Sequence, residues 1–201
     1  MLISALVMGW VGVLIHLIIM STFKKMIKHN EFAFLHLLMV FMYAMWLPLP
    51  ITLYQLLDSH LLQVGIIFGF TYLFMIVVTM ALQVGHITFV TKSNEEENIS
   101  NEIASYVMGT LSNPFETIAN VFKSIWALFL GLAFWNAGEY LMSILMLVFS
   151  LLFVYYLFIV LDTSVLRRIK LFSKVKANTL FINLETLLFF SVIMFYVTFH
   201  I

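Results

Sequence analysis

TKSNEEENISNEIASYVMGTLSNPFETIANVFKS, residues 91–124, is the only long polar interval in a chain that is otherwise almost continuously apolar. It divides one hydrophobic block, residues 1–90, from another, residues 125–201. Within it, Ile99, Ile103, Tyr106/Val107 and Thr110/Leu111 recur at helical spacing and give one apolar face. That pattern predicts a short amphipathic helix lying on the membrane surface, on a partner, or on the protein's own spans. Asn113-Pro114-Phe115-Glu116 then reads as a helix start, with an N-cap, proline at N1 and glutamate at N3.

The composition explains why the rest must be membrane. Of 201 residues, 63% are hydrophobic and 10% charged, and the mean hydropathy is +1.07. A soluble domain carries about 25% charged residues to cover its surface. Runs of about 20 apolar residues, enough to cross about 30 Å of hydrocarbon, recur along the chain. They are continuous rather than alternating, which predicts helices and not barrel strands. With no cysteine there is no disulfide framework, thiolate metal site or cysteine nucleophile. Zero net charge implies no nucleic-acid footprint. No removable signal peptide is expected, because Lys24, Lys25 and Lys28 follow the first apolar run instead of preceding it.

Outward from the polar interval, the expected spans are residues 2–22, 31–54, 61–90, 118–135, 140–161 and 178–200, forming a single polytopic domain over 1–201 with a connector at 91–117. Pro48 and Pro50 should kink or end the second span. The third is longer than a bilayer needs and should tilt or project. Lys123, near the start of the fourth, is expected to snorkel to the interface. Asn136-Ala137-Gly138-Glu139 reads as a tight turn. With six crossings the connectors 23–30, 91–124 and 162–177 share one face and hold 3, 2 and 5 of the ten Lys and Arg. Basic residues favour the cytoplasmic side. The expected fold is therefore an all-α integral membrane protein, a six-transmembrane helical bundle with both termini outside, sited in the plasma (cytoplasmic) membrane. Its two three-span halves face opposite ways, as in inverted-repeat transporters, but share no matching residues.

Familiar catalytic motifs are missing: no His-Glu-x-x-His, no Gly-x-Ser-x-Gly and no phosphate-binding glycine loop. A non-enzymatic role is expected, with no cofactor. At about 1.5 Å per residue, His16, His36 and His86 fall about 9, 8 and 6 Å inside the cytoplasmic ends of their spans, and Glu185 about 10 Å inside the sixth. Ionisable groups at such depth are candidates for proton or ion transport. The three histidines are also weak candidates as metal or haem ligands. Glu185 shares a face with Asn178, Ile182 and Phe189, and with no basic residue expected in a span core, a histidine or an amide is its expected partner. Arg167, Arg168, Lys170, Lys174 and Lys176 form a basic connector suited to anionic headgroups or a partner. Gly65-x-x-x-Gly69 and Ala5-x-x-x-Gly9 predict close helix approach.

Three functions fit these residues. One is an accessory or complex subunit acting through other membrane proteins or copies of itself. It follows from the scarcity of intramembrane polar groups, the short outer loops, and cytoplasmic segments of opposite charge, acidic at 95–97 and basic at 165–176. The second is a small-solute or ion transporter or permease component using Glu185 and the histidines. The third is a haem- or metal-binding redox protein. The bilayer is a partner in all three.

Overall fold

The computed structural model describes residues 2–96, 101–165 and 172–201. Its helices are α1 (Leu2–Lys28), α2 (Phe32–Trp46), α3 (Leu49–Leu57), α4 (Leu61–Glu96), α5 (Asn101–Asn136), α6 (Tyr140–Ser150), α7 (Leu152–Ser164) and α8 (Thr179–His200), with a 3-10 turn at Phe172–Lys174. Six units are long and apolar enough to span a membrane: α1, α2 with α3, α4, α5, α6 with α7, and α8.

The breaks follow local chemistry. Pro48 and Pro50 divide the second span into α2 and α3, with Pro48 as the N-cap of α3 and Pro50 in its first turn, where no N–H is needed. In the fifth, the Ser150 hydroxyl donates to the Leu147 carbonyl (2.7 Å) and competes with the helix ladder where α6 passes into α7. Asn30 and Asp58 adopt left-handed backbone at two turns (φ 60° and 41°). Gly138 (φ 80°) does so between α5 and α6, at the turn expected there.

Two expectations need correction. α1 continues through Lys28, so residues 23–28 are helix and not connector. Pro114 does not start a helix: α5 is already helical from Asn101 and carries Pro114 inside it. Proline is tolerated where neighbouring groups satisfy the freed carbonyl. The amphipathic segment is thus the first three turns of α5. Ile99 lies outside the described residues, as does the side chain of Ile103. Tyr106, further along, is exposed.

α5 is the axis of the bundle. It packs on α4, α6 and α7, and its apolar window is the most enclosed of the six spans. α1 lies against α2 and α8, and α2 against α4. Small residues set the closest approaches. A Cβ on Gly69 would come within 2.8 Å of the Trp126 ring and 3.1 Å of Pro50 Cγ. One on Gly9 would collide with Met194, and the Gly9 carbonyl accepts the Trp46 indole N–H at 3.1 Å. Both glycine motifs are therefore packing surfaces.

Candidate functional site

α5 carries a polar stripe through its buried face: Glu116, Thr117, Asn120, Lys123 and Ser124, three or four residues apart. Lys123 lies mid-span, not at an interface, and is only 1% exposed. Its ammonium donates to Glu185 Oε2 on α8 and to the Thr186 hydroxyl at 3.0 Å. The Tyr156 hydroxyl on α7 donates to the same Glu185 oxygen at 3.0 Å. The Tyr72 and Tyr156 rings lie 5.4 and 5.6 Å from Lys123 Nζ, close enough for cation–π attraction. Glu185 is 5% exposed. Removing two charges from water costs several kcal/mol per ion, and only a closed set of hydrogen bonds offsets it. Two hydroxyls and two aromatic faces supply that set, so α5, α7 and α8 meet at one buried charge pair.

A cavity of about 250 Å³ reaches from the ends of α2 and α8, at Phe32 and Thr179, inward between α2, α4, α5 and α8. Its polar lining is His36, Tyr43, Glu116, Thr117, Asn120, Thr179 and Asn183. At 1.5 Å per residue, Lys123 lies about 10 Å beyond Glu116 along α5, so the cavity leads toward the charge pair. Gln83 donates to Glu116 Oε1 at 2.8 Å. Asn120 Nδ2 donates to the Glu116 backbone carbonyl at 2.8 Å, which fixes the amide orientation. Its Oδ1 is buried and receives no hydrogen bond. His36 Nδ1 lies 2.7 Å from the Phe32 carbonyl, so the neutral ring donates there, and the Gln83 side chain also bonds this imidazole. A second cavity, about 410 Å³, lies between α1 and α8 and shares Phe23, Thr179 and Asn183 with the first.

Beyond the charge pair the bundle is closed by rings. Trp46 stacks on Phe190 with centroids 3.8 Å apart and planes at 10°, Trp126 meets Phe189 edge-on at 5.4 Å, and Phe134 meets Tyr196 at 4.7 Å.

The residues singled out from sequence fall into different places. Glu185 is buried where expected, but its partner is Lys123 rather than a histidine or an amide. His16 is buried on α1 with its ring 5.9 Å from Trp46, and its Nδ1 is without a hydrogen bond. His36 lines the cavity, and His86 is half-buried on α4. The expected layer of three imidazoles and one carboxylate is not assembled: among the described residues no three His, Asp or Glu side chains converge as metal ligands would. Lys174 and Lys176 are exposed, and the Lys176 carbonyl accepts the Tyr155 hydroxyl at 3.1 Å. Arg167, Arg168 and Lys170 lie outside the described residues. Sequence reading missed Lys123, Tyr156, Thr186 and the Gln83–Glu116–Asn120 set. The signal for the α5 members was their three- and four-residue spacing.

No protein-family model, curated protein or solved structure matches this chain.

Proposed function

We propose that this multi-pass membrane protein is a small-solute carrier, or the solute-binding subunit of a permease, that admits its solute from the face bearing the basic connectors. The observation that carries the reading is a cavity with polar groups in its lining, open at one end of the bundle and leading to a buried, hydrogen-bonded charge pair, with packed aromatic rings beyond it. A path open to one side and sealed to the other is what a carrier presents in one of its two states. The Lys123–Glu185 pair suits the switching element, because it holds α5 to α8 while closed and its charges are free to rebond when the helices part. With the basic connectors cytoplasmic, the cavity opens to the cytoplasm and both termini are outside. The plasma membrane is the corresponding site.

The accessory-subunit reading rested in part on scarce intramembrane polar groups, and the cluster around Lys123 removes that premise. It keeps the short outer loops and the oppositely charged segments at 95–97 and 165–176, and gains one structural support. The span Tyr140–Ser164 is the least enclosed of the six and presents a broad apolar face. A stoichiometric partner co-purified in mild detergent and cross-linked to that span would favour it.

The absence of native cysteine makes the carrier reading testable by single-cysteine labelling. Asn183→Cys in the cavity should react with an impermeant, charged methanethiosulfonate added to the connector side and not from the other. Leu188→Cys, on the lipid face of the same helix, should stay inert. An Asn183→Cys variant inert from both sides would mean a dry cavity and would overturn the reading.

A further inference from the structure

Resting on the carrier reading, we infer that the solute is a single-chain amphiphile with a cationic, hydrogen-bond-donating head. The head seats beside Glu116, and the alkyl chain leaves sideways between α1 and α8.

The shape of the space gives the first argument. A solute taken only from water needs only the cavity at Glu116. Here a larger, more apolar cavity adjoins it, walled by Ile19, Met20 and Phe23 of α1 and by Leu180 of α8. The shared residues Phe23, Thr179 and Asn183 make the two spaces neighbours. Leu180 is 65% exposed, so this wall reaches the face that lipid covers. A polar chamber joined to an apolar slot at the lipid boundary matches a molecule with a small head and one tail.

Charge and hydrogen bonding give the second. Among the described residues that line the inner cavity, Glu116 is the only acid, and there is no lysine or arginine. Beside it the Asn120 carbonyl is a buried acceptor without a partner, its amide nitrogen being already committed. One carboxyl next to an unpartnered acceptor favours an ammonium. The N-terminus of α8 opposes this with roughly half a positive charge. That end is already capped, because Asn178 accepts the Phe181 N–H at 3.1 Å. The carboxyl therefore sets the sign. The apolar walls at Leu35, Met39 and Met80 suit the methylenes next to the nitrogen.

The test uses octylammonium, octanoate and octanol on the full chain in lipid nanodiscs, at matched membrane concentration. The readout is the rate at which N-ethylmaleimide modifies Met20→Cys in the slot. Octylammonium should slow this by roughly tenfold or more, the scale of one charge-assisted bond. Octanoate and octanol should not. Glu116→Gln should cancel the protection, since the amide keeps an oxygen for Gln83 but loses the charge. Leu180→Trp, at an exposed position that folding does not depend on, should obstruct the slot. It should cancel octylammonium protection of Met20→Cys while methylammonium, which keeps the donating head and lacks the tail, still protects Asn183→Cys. Protection by octanoate equal to that by octylammonium, or full protection in Glu116→Gln, would overturn the inference. If octylammonium fails to protect while Asn183→Cys remains water-reactive, the amphiphile is wrong and the carrier reading stands. If Asn183→Cys is inert, the carrier reading itself falls.

Discussion

Replacing Glu185 with glutamine removes one charge and leaves Lys123 buried with a neutral partner. The cost is bounded by an escape route: the ammonium can release its proton. From a reference value near 10.4 down to pH 7, at about 1.36 kcal/mol per unit, that release costs about 4.6 kcal/mol. Lys123→Met strands the carboxylate instead. It can take up a proton, and from a reference near 4.3 the cost is about 3.7 kcal/mol. Each single variant should thus lose about 3–3.5 kcal/mol, within these ceilings and within the range for breaking a buried pair. The double variant Lys123→Met/Glu185→Gln has no charge to strand, and the Tyr156 and Thr186 hydroxyls can bond the amide. It should lie within about 1.5 kcal/mol of the parent, so the cycle should be non-additive by about 4 kcal/mol or more. Reversible unfolding by sodium dodecyl sulfate in mixed micelles would measure all four proteins. Additivity within about 0.5 kcal/mol, or single variants as stable as the parent, would show that the pair is not desolvated and would refute the account of the core.

Gly69→Ala places a methyl 2.8 Å from the Trp126 ring and 3.1 Å from Pro50 Cγ, two rigid neighbours, and should cost about 1–3 kcal/mol in the same titration. Ser143→Ala deletes a hydrogen bond of 2.8 Å to the Gly131 carbonyl and should cost only about 0.6 kcal/mol. With both termini outside, an impermeant maleimide on intact cells should label Ser59→Cys and not Lys176→Cys, and the opposite pattern would invert the orientation.

The gross fold was legible because bilayer thickness sets a length that hydropathy reads directly. All six spans, the Pro48–Pro50 break and the turn at Gly138 followed from it. Span ends were less so. The helices of α1 and α5 run past the apolar core into polar sequence, and a helix does not stop where hydrophobicity does. That error displaced Lys123. With a span beginning at residue 118 it read as an interfacial lysine, whereas in a candidate span beginning at Tyr106 it is central. Glu185 was then denied its basic partner, and a histidine or an amide was expected beside it. Lys123 and Glu185 lie 62 residues apart, and no periodicity within one helix reports a pair across two. Averaged hydropathy also hides a single charge among phenylalanines and leucines. The histidines failed for a related reason. Similar depth in three spans says nothing about azimuth, and His16 turns to Trp46 while His36 turns to the cavity.

A carrier of this kind passes its solute by opening alternately to the two ends of the bundle. Ile193 lies on α8 beyond the charge pair and is fully buried in this state. The most direct test is the accessibility of Ile193→Cys to an impermeant thiol reagent from each side, compared with Asn183→Cys. A carrier predicts slow modification of Ile193→Cys from the side opposite to the one that labels Asn183→Cys, and faster modification when Lys123→Met/Glu185→Gln removes the closing pair. Ile193→Cys unreactive from both sides in either background would contradict the carrier reading.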